Sequence, residues 1–110
     1  LILFKILMMG ESLFIKTNEK VNKKPVYRIE GDYSINNIER IKEELKKILE
    51  NDKKIHLDIK NIENIDLTAI QLLYSLKKYL KEDFSFGIEL KEDQKQILLN
   101  SGFGKFFNLK

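Results

Sequence analysis

One stretch, Ile65-Asp66-Leu67-Thr68-Ala69-Ile70-Gln71-Leu72-Leu73, sets a carboxylate, a hydroxyl and a carboxamide within six positions of one another. A strand-like alternation stops there, a helix-like repeat begins, and a hydroxyl stands at the junction. Thr68 followed three residues later by Gln71 reads as a capping box, in which the hydroxyl accepts from one orphan backbone N–H and the Gln side chain reaches back to another. This spacing predicts Thr68 at a helix N-terminus. Aligned peptide dipoles and unpaired N–H groups favour negative charge at such a terminus, so a phosphate added to the hydroxyl could be held there. The alternative is purely structural: an N-cap contributing about 1 kcal/mol and needing no function.

Elsewhere the chain offers little for catalysis. It has no cysteine and one histidine, which removes thiolate chemistry, disulfides and the usual transition-metal ligand sets. His56 falls on the polar side of its strand's alternation and reads as a surface residue. Asp58 and Asp66 make no acid/base pair, because one lies within a strand and the other beyond a turn. Gly102 and Gly104 follow a helix rather than a strand, so they form no phosphate loop. No catalytic residue, cofactor or metal is expected, and no enzymatic role. With 20 basic against 17 acidic residues the net charge is +3, but the charges are interspersed, which argues against a nucleic-acid surface. Lys77, Lys78 and Lys81 suit the negative end of a helix dipole.

The strands and helices on either side of this corner follow from periodicity. At 110 residues the chain is the size of one domain with one core. Leu1 to Met9 is apolar except for Lys5, but is shorter than the ~20 residues a bilayer crossing needs, and no signal cleavage site follows it. Residues 1–12 are therefore expected to be an extension outside the fold, residues 13–110 the domain, and the protein cytoplasmic without membrane insertion. Leu13 to Asn18 alternates as a first strand. A loose polar connection to Lys24 leads to a second strand, Val26 to Glu30, paired antiparallel with the first and closed by Gly31-Asp32. Ser34 is a plausible N-cap for a helix with Ile38, Ile41, Leu45, Ile48 and Leu49 on one face, ending near Asn51-Asp52.

Ile55, Leu57 and Ile59 alternate as a third strand, followed by a turn over 61–64 and a helix from Leu67 to about Lys81. Phe84, Phe86, Ile88 and Leu90 mark a fourth strand, and Ile97, Leu98 and Leu99 a last helix that stops near Gly102. The tail Phe103, Phe106 and Phe107 is expected to pack back on the core. The pattern predicts an α/β fold with a four-stranded mixed sheet in the order 1-2-3-4, strands two to four parallel. Because the strands alternate, the helices should lie mainly on one face.

With its corner residues, this layout resembles the STAS domain, the family of anti-sigma factor antagonists and of sulfate-transporter regulatory tails. The resemblance covers roughly Leu13 to Leu109 and is strongest over Leu57-Asp58-Ile59-Lys60-Asn61-Ile62-Glu63-Asn64-Ile65-Asp66-Leu67-Thr68-Ala69-Ile70, where the family has a strand of the form L-D-L-x-x-v-x-x-I followed by D-S-S-G. Ile97-Leu98-Leu99 with Ser101-Gly102-Phe103 resembles the family's closing segment, and Gly31 its glycine at the end of the second strand. Residue by residue, Asp66 takes the acidic position and Thr68 that of the phosphoacceptor hydroxyl. Leu67 replaces the first serine and Ala69 the glycine. Ser34 stands where an aspartate often follows the first-loop glycine.

The resemblance implies a non-enzymatic partner-switching module. Thr68 would be the phosphoacceptor, and Asp66, Leu67, Thr68, Ala69, Gln71, Leu72 and Ser34 the surface that meets a protein partner such as a GHKL-type anti-sigma kinase. Two alternatives of another kind are a constitutive STAS subunit bound to the ATPase of an ABC-type lipid transporter and a chemotaxis-linked adaptor, each with unmodified Thr68 in the interface.

Overall fold

The computed structural model describes residues 13–100 and Gly102. Four strands, β1 (Phe14–Val21), β2 (Lys24–Tyr33), β3 (Ile55–Ile65) and β4 (Phe84–Ile88), form one sheet in the order β1-β2-β3-β4. β1 and β2 are antiparallel, whereas β2, β3 and β4 are parallel, as the alternation of strands and helices requires. Three helices complete the fold: α1 (Ile38–Asn51), α2 (Leu67–Leu80) and α3 (Glu92–Asn100). The expected extension over 1–12 and the tail of Phe103, Phe106 and Phe107 lie outside the described residues.

All three helices bury side chains in one cluster. Ile41 and Leu45 of α1, Ile70, Leu73 and Leu76 of α2 and Leu98 of α3 pack with Tyr27, Ile29, Ile55, Leu57, Ile59 and Phe84 of the strands. The intervening strand positions Arg28, His56, Asp58 and Lys60 are exposed or half-buried. This is the one-sided sheet that the alternating sequence implies.

Three boundaries differ from expectation, each for a local reason. The first connection is tight rather than loose: β1 continues to Val21, and Asn22 and Lys23 both take positive φ, the two-residue geometry that matches the twist of a hairpin. The register shift between Lys16 and Lys20 falls around Thr17, whose hydroxyl donates to the Val26 carbonyl at 2.9 Å and accepts from the Glu19 amide. Secondly, β2 runs through Gly31 to Tyr33 instead of stopping at Gly31-Asp32. Gly31 has φ +99°, and a Cβ there would meet Leu13 Cδ2 at 3.1 Å, so glycine lets the strand continue. Thirdly, residues 61–64 form no turn. β3 extends to Ile65, and its register against β2 slips between Ile29 and Glu30 and again between Gly31 and Asp32. These bulges place Ile59, Ile62 and Ile65, three residues apart, all in the core.

Leu90, expected as the end of the fourth strand, lies just beyond β4 and is buried. Gln94 ties this region down. Its Oε1 accepts from the Lys91 amide at 3.1 Å, and its Nε2 donates to the Ile62 carbonyl at 3.0 Å, so α3 is pinned to the bulged part of β3.

Candidate functional site

The corner between β3 and α2 is built by Asp66. Its backbone is extended (φ −126°, ψ 178°), its carbonyl accepts from the Ile70 amide, and its Oδ1 accepts from the Ala69 amide at 3.2 Å. Asp66 is therefore the N-cap of α2. This corrects the expected capping box of Thr68 with Gln71. Thr68 lies inside the first helical turn, and an aspartate two residues earlier supplies both the extended backbone and the charged acceptor that a cap requires.

Asp66 does more than cap. Its Oδ2 accepts from the Ile35 amide at 2.8 Å, and its own amide donates to the Tyr33 carbonyl at 3.2 Å. One carboxylate thus joins the end of β2 to the start of α2. On the other segment, Ser34 caps a short 3-10 turn, Ile35–Asn37, through a bond from the Asn36 amide to its Oγ at 3.3 Å, and α1 follows directly.

This framework sorts the candidate residues. Leu67 is 44% exposed, Gln71 is exposed, and Thr68 and Leu72 are half-buried, so these four are on the surface of the corner. Ala69 (1% exposed) and Ser34 (3%) face inward and position the corner rather than cover it. A shallow groove of about 250 Å³ beside the threonine is lined by Ile38, Lys42, Thr68, Gln71, Leu72 and Ser75. The amides of Leu67 and Thr68 have no intrahelical acceptor, as in any first turn. Thr68 thus lies in the first turn of α2, two residues after the capping Asp66, on a groove that Lys42 also lines.

Ile35 belongs to this surface and was missed from the sequence. It is 60% exposed, and its amide is fixed to Asp66, beside Leu67 in the chain. Its spacing hides it: Ile35 lies three positions before Ile38 and so continues the stripe of Ile38, Ile41 and Leu45, yet it sits in the 3-10 turn ahead of α1. The Asp66 bond that brings it to the corner spans 31 positions and has no local signature.

Several other polar groups have structural partners. His56 is half-buried rather than a plain surface residue. Its Nδ1 lies 2.7 Å from Ser85 Oγ across β3 and β4, and burial pushes its pKa below the ordinary value, partly offset by Asp58. Asp58 pairs with Lys60 at 3.8 Å. Asp52 accepts from the Tyr27 hydroxyl at 2.5 Å and from Lys16 Nζ at 3.1 Å; both bonds hold its carboxyl below the usual range. Burial, with the bond to Asp52, pushes the Tyr27 phenol up to about 12. Among the described residues no group of three or more His, Asp or Glu side chains is placed to hold a metal, and no helix is long and apolar enough to cross a membrane.

A mixed four-stranded sheet, three helices sharing one core, and a half-buried threonine in the first turn after the third strand define a STAS-type module. The chain matches the STAS domain family over residues 13–110 and belongs to it. Members of this family are generally non-enzymatic and bind protein partners, as regulatory anti-sigma antagonists or as modules associated with transporters. No curated protein matches the chain.

Proposed function

We propose that this protein is a non-enzymatic, cytoplasmic signalling module whose corner docks on a protein partner of the anti-sigma kinase type and is switched by phosphorylation of Thr68. The reading rests on one observation above all: a half-buried hydroxyl in the first turn of α2 lies next in the chain to Leu67, and Asp66 holds Ile35 at the same corner. Exposed apolar side chains beside a modifiable hydroxyl suit an interface that a charge can disrupt. A phosphate carries about −1.5 to −2 charge near neutral pH. Buried in an interface fitted to a neutral hydroxyl and beside Asp66, it would weaken docking by roughly 3 kcal/mol, about a hundredfold. Kinase activity and ATP would belong to the partner, of the GHKL type.

The test is mass spectrometry after incubation with the cognate kinase and ATP, alongside partner affinity for Thr68→Glu. Phosphate on Thr68 and a loss of about a hundredfold in affinity are expected. An unmodified threonine together with unchanged affinity of Thr68→Glu removes the reading.

One observation favours a second reading, a constitutive subunit on the ATPase of an ABC-type lipid transporter. Leu67 is apolar and 44% exposed where the family motif has a serine, which suits a permanent contact. In that case Thr68 stays unmodified, and Leu67→Asp abolishes co-purification with the ATPase.

A further inference from the structure

A second groove, of about 480 Å³, lies between α1 and α2. Its apolar part is Leu45, Leu49, Leu72, Leu76 and Leu80. Leu45 and Leu76 belong to the buried core, whereas Leu49, Leu72 and Leu80 are only half-buried and pack against it. On the α1 side the lining is basic: Lys42 and Lys46 of α1 and Lys53 just beyond its end, against the single acid Glu50. Tyr79 of α2 also lines the groove and is 81% exposed. Lys42 makes an ion pair with Glu39 at 3.8 Å, and Lys53 Nζ donates to the Leu49 carbonyl; both contacts are exposed and easily exchanged.

We propose that this groove docks an amphipathic helix of a partner protein, with leucine-type residues facing the groove and acidic residues along the flank that meets α1. The charge arrangement selects this occupant. Lys42 and Lys46 are one turn apart on α1, about 6 Å along its axis, and Lys53 stands beyond its C-terminal end. Three cations spaced along one side of the groove match carboxylates recurring every helical turn, whereas a single-headed lipid offers one charge at one end. The chain's own terminal segments are unsuited, since residues 1–12 and 102–110 together carry three lysines and a single acid, Glu11. A second copy presenting the same face would set lysines against lysines. The groove shares Lys42 and Leu72 with the smaller one beside Thr68, but docking here does not require modification of that residue.

The probes are two synthetic peptides of about 18 residues with the same leucine face, one with Glu and one with Lys on its flanks. Binding is read by fluorescence anisotropy and by amide shifts of the full chain, with sodium laurate as the lipid probe. The Glu peptide is expected to bind at least about tenfold tighter than the Lys peptide, with shifts over residues 42–53 and 72–80. The Lys46→Glu/Lys53→Glu variant, changed only at exposed positions, reverses that preference, whereas Leu67→Asp leaves both affinities unchanged. Equal affinity for the two peptides, shifts confined to other segments, no binding by the Glu peptide, or laurate saturating the groove while neither peptide competes overturns the proposal. Because Leu67→Asp disables only the corner, these outcomes are separable from failure of the Thr68 reading.

Discussion

Replacing Asp66 by alanine removes the cap of α2 and the acceptor for the Ile35 amide at once. A destabilisation of about 1 to 2 kcal/mol is expected in urea unfolding, with Thr68→Val costing less than about 0.5 kcal/mol. The reverse ranking would return the cap to Thr68. The acidic residue was visible at the corner, but its role was assigned to the wrong side chain. The Thr68/Gln71 spacing fits a capping box, and only the extended backbone of Asp66 decides which residue lies outside the helix. His56 supplies a second test. Its pKa is lower folded than unfolded, so the unfolded chain takes up the proton first as pH falls. Stability should therefore decline as pH drops through about 6.5 and go on declining until the folded group is protonated too. His56→Gln should flatten that part of the profile, measured by thermal melts between pH 7 and pH 5.

At the level of elements, the helices were readable and the bulged strand was not. Ile38, Ile41 and Leu45 and, in the next helix, Ile70, Leu73 and Leu76 keep a helical period, and both helices occupy nearly the expected spans. β3 failed the period-two test because Ile59, Ile62 and Ile65 are three apart; bulges restore the inward phase, and a bulge has no strong local signature. Gln94 holds that irregular stretch to α3. Gln94→Ala leaves the Ile62 carbonyl without its side-chain donor in a buried setting, and should cost about 1 to 3 kcal/mol. Faster hydrogen exchange around residues 61–65 should accompany the loss, and an unchanged exchange pattern would show that the strand holds itself.

For the molecule as a whole, one shared core predicts one transition. Tyr27 of β2 and the helix residues Ile41, Ile70 and Leu98 belong to a single cluster. Urea unfolding followed by tyrosine fluorescence and by far-ultraviolet circular dichroism should give coincident midpoints, because the described helices and strands share this cluster. Separated midpoints would divide the cluster into independent units. Sheet order and parallel pairing were legible because strands and helices alternate in the chain, which leaves few connections that do not cross. The contribution of Ile35 to the corner was not, since it depends on a contact made only when the end of β2 and the start of α2 meet.

That contact also bears on how a partner would be met. With one oxygen of Asp66 on the Ala69 amide and the other on the Ile35 amide, the two apolar lips of the corner are clamped together before anything arrives. Docking on such a stiff pad loses little further chain entropy, so its affinity should depend less on temperature-sensitive loop ordering than on how well the visitor's surface fits.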